Sequence, residues 1–149
     1  MSTVLGYRTF GAADVQEFFD RPDPSPGPAE VLIRVAAAGV NPLDHLLRSG
    51  HVRDMNGHVP FPQVLGMEAA GTVLAVGAEV TGLGVGDRVT GFALTGAGTY
   101  ARTTLLLAES TARIPDGCRR PGRRPSPSPA PPRSTLSTSS RCPPGHRCW

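Results

Sequence analysis

Along residues 1–117, short runs of alternating apolar and polar positions are separated by turn-forming residues, the pattern of a mostly β chain. "TVLGYRTF" and "VQEFFD" are the first two candidate strands. "RPDPSPGPAE" follows, and its four prolines rule out a strand interior and impose an extended loop. "EVLIRVAAAGV" alternates most clearly, with Val31, Ile33 and Val35 on one face and Glu30, Leu32 and Arg34 on the other. That predicts a core strand with one face partly wet. At "NPLDHLLRSG" the period changes: Leu43, Leu46 and Leu47 share a helix face, Asn41 can cap, Pro42 suits the first turn and Gly50 can terminate. One short helix is predicted there. "MEAAGTVLAVGAEV", "GDRVTGFA", "TYARTTLLL" and "TARIPD" resume strand character. The expected fold class is mainly β, a partly open barrel with a short helix, and Phe92 and Tyr100 are expected in its core.

The run "GLGVG" at Gly82–Gly86 echoes a dinucleotide-binding loop. That fingerprint needs a helix opening on its last glycine, whereas "DRVTGFA" follows here and reads as strand. A β-turn is expected instead, and "TGAGTY" fails on the same ground.

Charge divides the chain at the same boundary. All twelve acids lie at or before Asp116, with eight Arg among them, so residues 1–117 carry a net −4. Residues 118–149 carry seven Arg and no acid, a net +7, and the overall +3 describes neither part. Cys118, Cys142 and Cys148 all fall in the second part, so the first can hold neither a disulfide nor a thiolate metal site. No run is apolar for long enough to span a bilayer, and "MSTVLGYRTF" lacks the layout of a signal peptide. A cytoplasmic location without membrane contact is the expectation.

Three stretches in order, "AAAGVNPLDHLLRSG", "PFPQVLGMEAAGTVLAVGAEVTGLGVGDRVTGF" and "GTYARTTLLLAESTARIPDG", closely resemble the N-terminal, GroES-like domain of the medium-chain dehydrogenase/reductase superfamily. The resemblance covers nearly all of residues 1–117, which are expected to form that catalytic-type domain. G-x-E-x-A-G-x-V from Gly66 followed by V-G-D-R-V from Val85 is its distinctive combination. Zinc-dependent members place Cys and His where this chain has Asn41 and Met67, and a carboxamide and a thioether cannot hold a catalytic zinc in that role. The four-cysteine lobe of those relatives is also missing. "GVNPLD" instead resembles the zinc-independent, zeta-crystallin-like quinone oxidoreductases.

That resemblance implies hydride transfer from NADPH to a quinone or enone, with no zinc. A quinone is already electrophilic, so position, exclusion of water and a few hydrogen bonds suffice. It implies Asn41 near nicotinamide and substrate, in catalytic and cofactor-binding roles, and Asp44 in the same cleft. The residues themselves also allow Asn41 to be only a helix cap, and Asp44 only an exposed or salt-bridged first-turn acid. His45, His51 and His58 are expected to be solvated rather than a metal cluster, and Glu68 a structural hydrogen-bond partner.

Residues 118–149 read as a disordered, Arg/Pro-rich tail. Arginines interrupted by proline can grip phosphates, but a single aromatic, Trp149, and no recognition motif accompany them. Nucleic-acid binding is therefore the weaker reading, kept as an alternative in which a non-enzymatic GroES-like module uses its basic tail on nucleic acid or an acidic partner. A frameshift accounts for more. If each intended codon begins at the third base of a printed codon, "RRPGRRPSPSPA" from Arg119 permits "PAAGAAALPVAG". This resembles the alanine-rich helix that follows the domain in the family, and Ser126 and Ser128 force its aliphatic spacing. On this reading the family's Rossmann domain is missing and the chain is a truncated, inactive fragment. Its exposed interdomain face should then favour self-association. A nucleotide-binding polypeptide supplied in trans is the third expectation.

Overall fold

The pattern of short strands is realised in a computed structural model that describes residues 1–52, 60–93 and 97–118. All of these lie in one unit, Met1–Cys118. Of the expected tail, residues 118–149, only Cys118 falls among the described residues, and His58 lies outside them. In chain order the elements are β1 (Ser2–Tyr7), β2 (Gln16–Arg21), β3 (Glu30–Ala38), α1 (Pro42–Ser49), β4 (Gln63–Val64), β5 (Glu68–Val76), β6 (Arg88–Phe92), β7 (Thr103–Leu107) and β8 (Thr111–Arg113). Single 3-10 turns occupy Ala13–Val15 and Ala108–Ser110.

The strands form a three-stranded sheet, β2-β1-β4, and a five-stranded sheet, β7-β3-β5-β6-β8, with every pairing antiparallel. The alternation read in β3 holds: Val31 and Ile33 are fully buried, Glu30 and Leu32 are half-buried, and Arg34 is exposed. The inward faces of β3, β5, β6 and β7 supply one core cluster of Val31, Ile33, Ala69, Val73, Val89 and Leu106. Close-packed aliphatic side chains there provide most of the apolar burial that holds the large sheet.

The two sheets are sewn together by the chain on either side of Tyr100. Leu5 N–H donates to Tyr100 O at 2.9 Å, Tyr100 N–H to Leu65 O at 2.9 Å and Leu65 N–H to Leu5 O at 3.1 Å, beside an isolated bridge between Val4 and Ala101. The result is a mostly β, partly closed barrel with one helix, as expected. β4 escapes sequence reading because it is two residues long and follows a proline. The Gly82–Gly86 run is a turn, with φ of 78° and 94° at its outer glycines.

α1 departs from expectation in the face it buries. Asp44 and Arg48, four residues apart, are its buried residues, while Leu46 is exposed and Leu43 and Leu47 are half-buried. The apolar spacing correctly marks a helix, but hydrogen-bonding groups of the barrel take the polar face inward. Phe92 and Tyr100 also depart from the core expectation. Phe92 ends β6 on the outward parity set by buried Val89 and is 48% exposed, and Tyr100 is half-buried with its hydroxyl on Asp44.

Candidate functional site

α1 begins where the chain leaves β3, and its first turn is closed by its own side chains. Asn41 Oδ1 accepts from Leu43 N–H at 3.2 Å, and Asp44 Oδ2 accepts from Asn41 N–H at 2.8 Å, which completes a reciprocal capping box. Pro42 occupies the first turn and Gly50 closes the helix with φ 82°. A cap of this kind contributes about 1 kcal/mol.

Asp44 does more than cap. It is 7% exposed, and neither of the plain alternatives, an exposed acid or an ion-paired one, describes it among the described residues. Its Oδ1 accepts from Gly66 N–H at 3.0 Å and its Oδ2 also accepts from Tyr100 O–H at 3.2 Å. Three donors and the positive end of α1 therefore solvate a buried carboxylate in place of water. Burial first, then the Asp44 charge and the hydrogen bond to it, push the Tyr100 phenol up to about 12.

One turn later Arg48 Nη2 lies 3.0 Å from His45 Nδ1, and its Nε donates to Gly11 O at 3.4 Å. Tyr7 O–H donates to Gln63 Oε1 at 2.5 Å beneath the helix. Burial raises the Tyr7 phenol above its ordinary value, opposed by Arg48 and reinforced by Asp44. Phe10 and Phe61 meet edge to face, with ring centroids 5.0 Å apart, and both rings border Tyr7.

The sequence-named residues thus come together in part. Asn41 and Asp44 share the first turn of α1, and Asp44 reaches the Gly66–Glu68 segment through the Gly66 amide. Gly39 N–H donates to Glu68 O at 3.0 Å, and Ala93 N–H to Met67 O at 2.8 Å, so the ends of β3, β5 and β6 border one another. Glu68 and Phe92 are directly paired across those strands, and Val40 beside them is 88% exposed. The Glu68 carboxylate has no hydrogen-bond partner among the described residues, unlike the structural role expected of it. His45 and His51 are exposed, as expected, and no group of three or more His, Cys, Asp or Glu side chains converges among the described residues. Sequence reading missed Tyr100, whose tie to Asp44 spans 56 residues and leaves no local pattern.

A dinucleotide does not fit the anion slots of the described residues. The N-terminus of α1 is filled by its own Asp44 carboxylate, which would repel a phosphate. At the glycine turn, Gly84 N–H donates to Asp87 Oδ2 at 2.7 Å, and the same oxygen pairs with Arg113 at 2.7 Å. Strand β6, not a helix, follows it. No helix among the described residues is long and apolar enough to cross a membrane.

Comparison with known proteins agrees with this fold. Residues 27–116 match the alcohol dehydrogenase GroES-like domain family. A quinone oxidoreductase of Pseudomonas aeruginosa is 38% identical over 117 residues, covering 78% of this chain and 34% of the relative. Among solved structures, a quinone oxidoreductase of Pseudomonas syringae superposes with a TM-score of 0.71 at 34% identity, covering 80% of this chain and 35% of that one. The Escherichia coli quinone oxidoreductase complexed with NADPH gives a TM-score of 0.69 at 28% identity, covering 78% of this chain and 34% of that one. The chain therefore spans about a third of the length of these relatives.

Proposed function

Because the chain belongs to the alcohol dehydrogenase GroES-like domain family, in the quinone oxidoreductase branch of the medium-chain dehydrogenase/reductase superfamily, we propose that it is the substrate-side domain of an oxidoreductase. The reaction is reduction of a quinone or conjugated carbonyl compound with hydride from NADPH. The relative solved with NADPH supports the choice of donor.

One observation carries the reading. The side-chain oxygen of Asn41 is committed to Leu43 N–H, which fixes the orientation of the amide. Its Nδ2 has no partner among the described residues and is not among the buried unsatisfied atoms, so it remains an available donor. A group that can only donate selects a ligand that accepts, such as a carbonyl oxygen. When that carbonyl is reduced, negative charge grows on its oxygen, and a fixed N–H donor there stabilises it. Asp44 holds the Asn41 backbone in place by accepting its N–H. Val40 and Phe92 offer apolar surface near the same strand ends, suited to a flat unsaturated ring.

No anion slot among the described residues suits a dinucleotide, and the chain spans about a third of its relatives' length, so we propose that this chain alone has little or no turnover. The frameshift reading of residues 118–149 belongs to the same proposal. A titration of the 15N-labelled chain with cyclohexenone tests the ligand reading: the Asn41 side-chain amide should shift saturably, and Asn41→Ala should remove binding. Unchanged Asn41 resonances at saturating enone would overturn it. In a steady-state assay with NADPH and a simple quinone, turnover at ordinary enzyme rates by this chain would refute the fragment reading.

A further inference from the structure

We propose that Tyr100 is a positioning residue whose hydroxyl fixes the Asp44 carboxylate, and through it the orientation in which Asn41 presents its amide. The consequence for substrate rests on the reading of Asn41 above; the positioning itself does not.

Tyr100 is held at three points, two on its backbone and one on its ring. Its backbone N–H donates to Leu65 O and its backbone carbonyl accepts from Leu5 N–H, both at 2.9 Å. Its ring lies against the backbone of Gly66, where a Cβ would stand 2.6 Å from Cδ1. Only the hydroxyl extends beyond this clamp, and it ends 3.2 Å from Asp44 Oδ2. A carboxylate held by two backbone amides alone could exchange its oxygens or swing its second lone pair out of line. The phenol donates to the oxygen that also serves Asn41 N–H, whereas Oδ1 serves Gly66 N–H. It therefore discriminates the two oxygens and supplies the third donor that a 7% exposed anion with no described cation partner requires. Through the capping box, the same oxygen sets the Asn41 backbone, and Leu43 N–H sets its side chain. The path from barrel seam to amide donor is thus continuous: Leu5, Tyr100, Asp44, Asn41.

Tyr100→Phe keeps the ring and removes only the hydroxyl. In the full-length 15N-labelled chain without ligand, the Asn41 and Gly66 amides should exchange with solvent about tenfold faster in this variant, the size expected for loss of one shared hydrogen bond to a charged group. The amides of Ile33 and Val73, in the core sheet, should stay within about twofold of wild type, which separates a local loosening from general destabilisation. Equal exchange at Asn41 and Gly66 in folded wild-type and variant chains would overturn the proposal. A second measurement needs no Tyr100 variant: the ultraviolet titration of the high-pH phenol should move downward in Asp44→Asn, and an unmoved transition would equally overturn it. Both readouts are taken without enone or NADPH, so their failure is distinct from failure of the ligand reading.

Discussion

Thr99 N–H donates to the carbonyl of Gly66 at 3.2 Å, and a Cβ built on Gly66 would stand 2.2 Å from Thr99 Oγ1. Gly66 has φ 89°, so a side chain there meets both a strained backbone and the Tyr100 ring. Gly66→Ala should cost about 2 kcal/mol or more in chemical unfolding, because neither the backbone nor the ring behind it can give way. A loss under about half a kcal/mol would mean that the segment has room to relax.

Removal of the Asp44 carboxylate should be costly for a different reason. Asp44→Ala leaves the amides of Asn41 and Gly66 and the Tyr100 hydroxyl without their common acceptor. We expect a loss of about 2–4 kcal/mol by denaturant titration. Asn41→Ala, which loses only the cap bond to Leu43, should cost about 1 kcal/mol. Equal losses for the two variants would contradict the difference in their hydrogen bonding.

These two residues also mark how far the sequence can be read. The helix, its cap, its proline and its terminating glycine follow from spacing alone, and so do the parity of β3 and the turn at Gly82–Gly86. The buried face of α1 does not. An apolar period assumes that leucines face the core, but the groups that draw Asp44 inward lie 22 and 56 residues away along the chain. Phe92 is legible: with Val89 inward, strand alternation sends Phe92 outward, and aromatic character alone does not decide burial. Tyr100 had no such signal, since its hydroxyl meets Asp44 only after β1 and the Leu65–Gly66 segment have closed around it.

At the opposite end of β1, Asp23 accepts from the N-terminal ammonium at 2.8 Å, from Ser2 Oγ, and from Thr103 Oγ1 at 3.0 Å. These partners, the ammonium first, hold its carboxyl down at about 2. With the folded value below the ordinary 3.8, the stabilisation is present above pH about 4 and is lost as pH falls toward about 2. Thermal melts of wild type and Asp23→Asn should therefore differ near neutral pH and converge below pH about 2. Parallel curves through that window would exclude Asp23 as a source of acid sensitivity.

Tyr100 gives the mirror-image dependence at high pH. Its folded value of about 12 lies above the ordinary 10, so its contribution is whole below pH about 10 and declines as pH rises through about 12. Tyr100→Phe has no proton to lose and should remove that part of the alkaline decline, while the weaker rise at Tyr7 persists in both chains. Identical alkaline unfolding curves for wild type and Tyr100→Phe would show that the phenol is not a titrating element of the fold.

Val40 is 88% exposed and Phe92 48%, near the ends of β3 and β6 that flank Glu68, and Leu46 on α1 is 37% exposed. Single exposed apolar side chains are ordinary on a protein surface, but several near one site favour association when no other surface covers them. If the chain acts as a fragment, light scattering coupled to gel filtration should detect concentration-dependent self-association. The double variant Val40→Ser, Phe92→Ser should reduce it without lowering the unfolding midpoint, because both side chains already face solvent. Association unchanged in that variant would place the contact elsewhere, with Phe18 on β2, 74% exposed, as the next residue to replace.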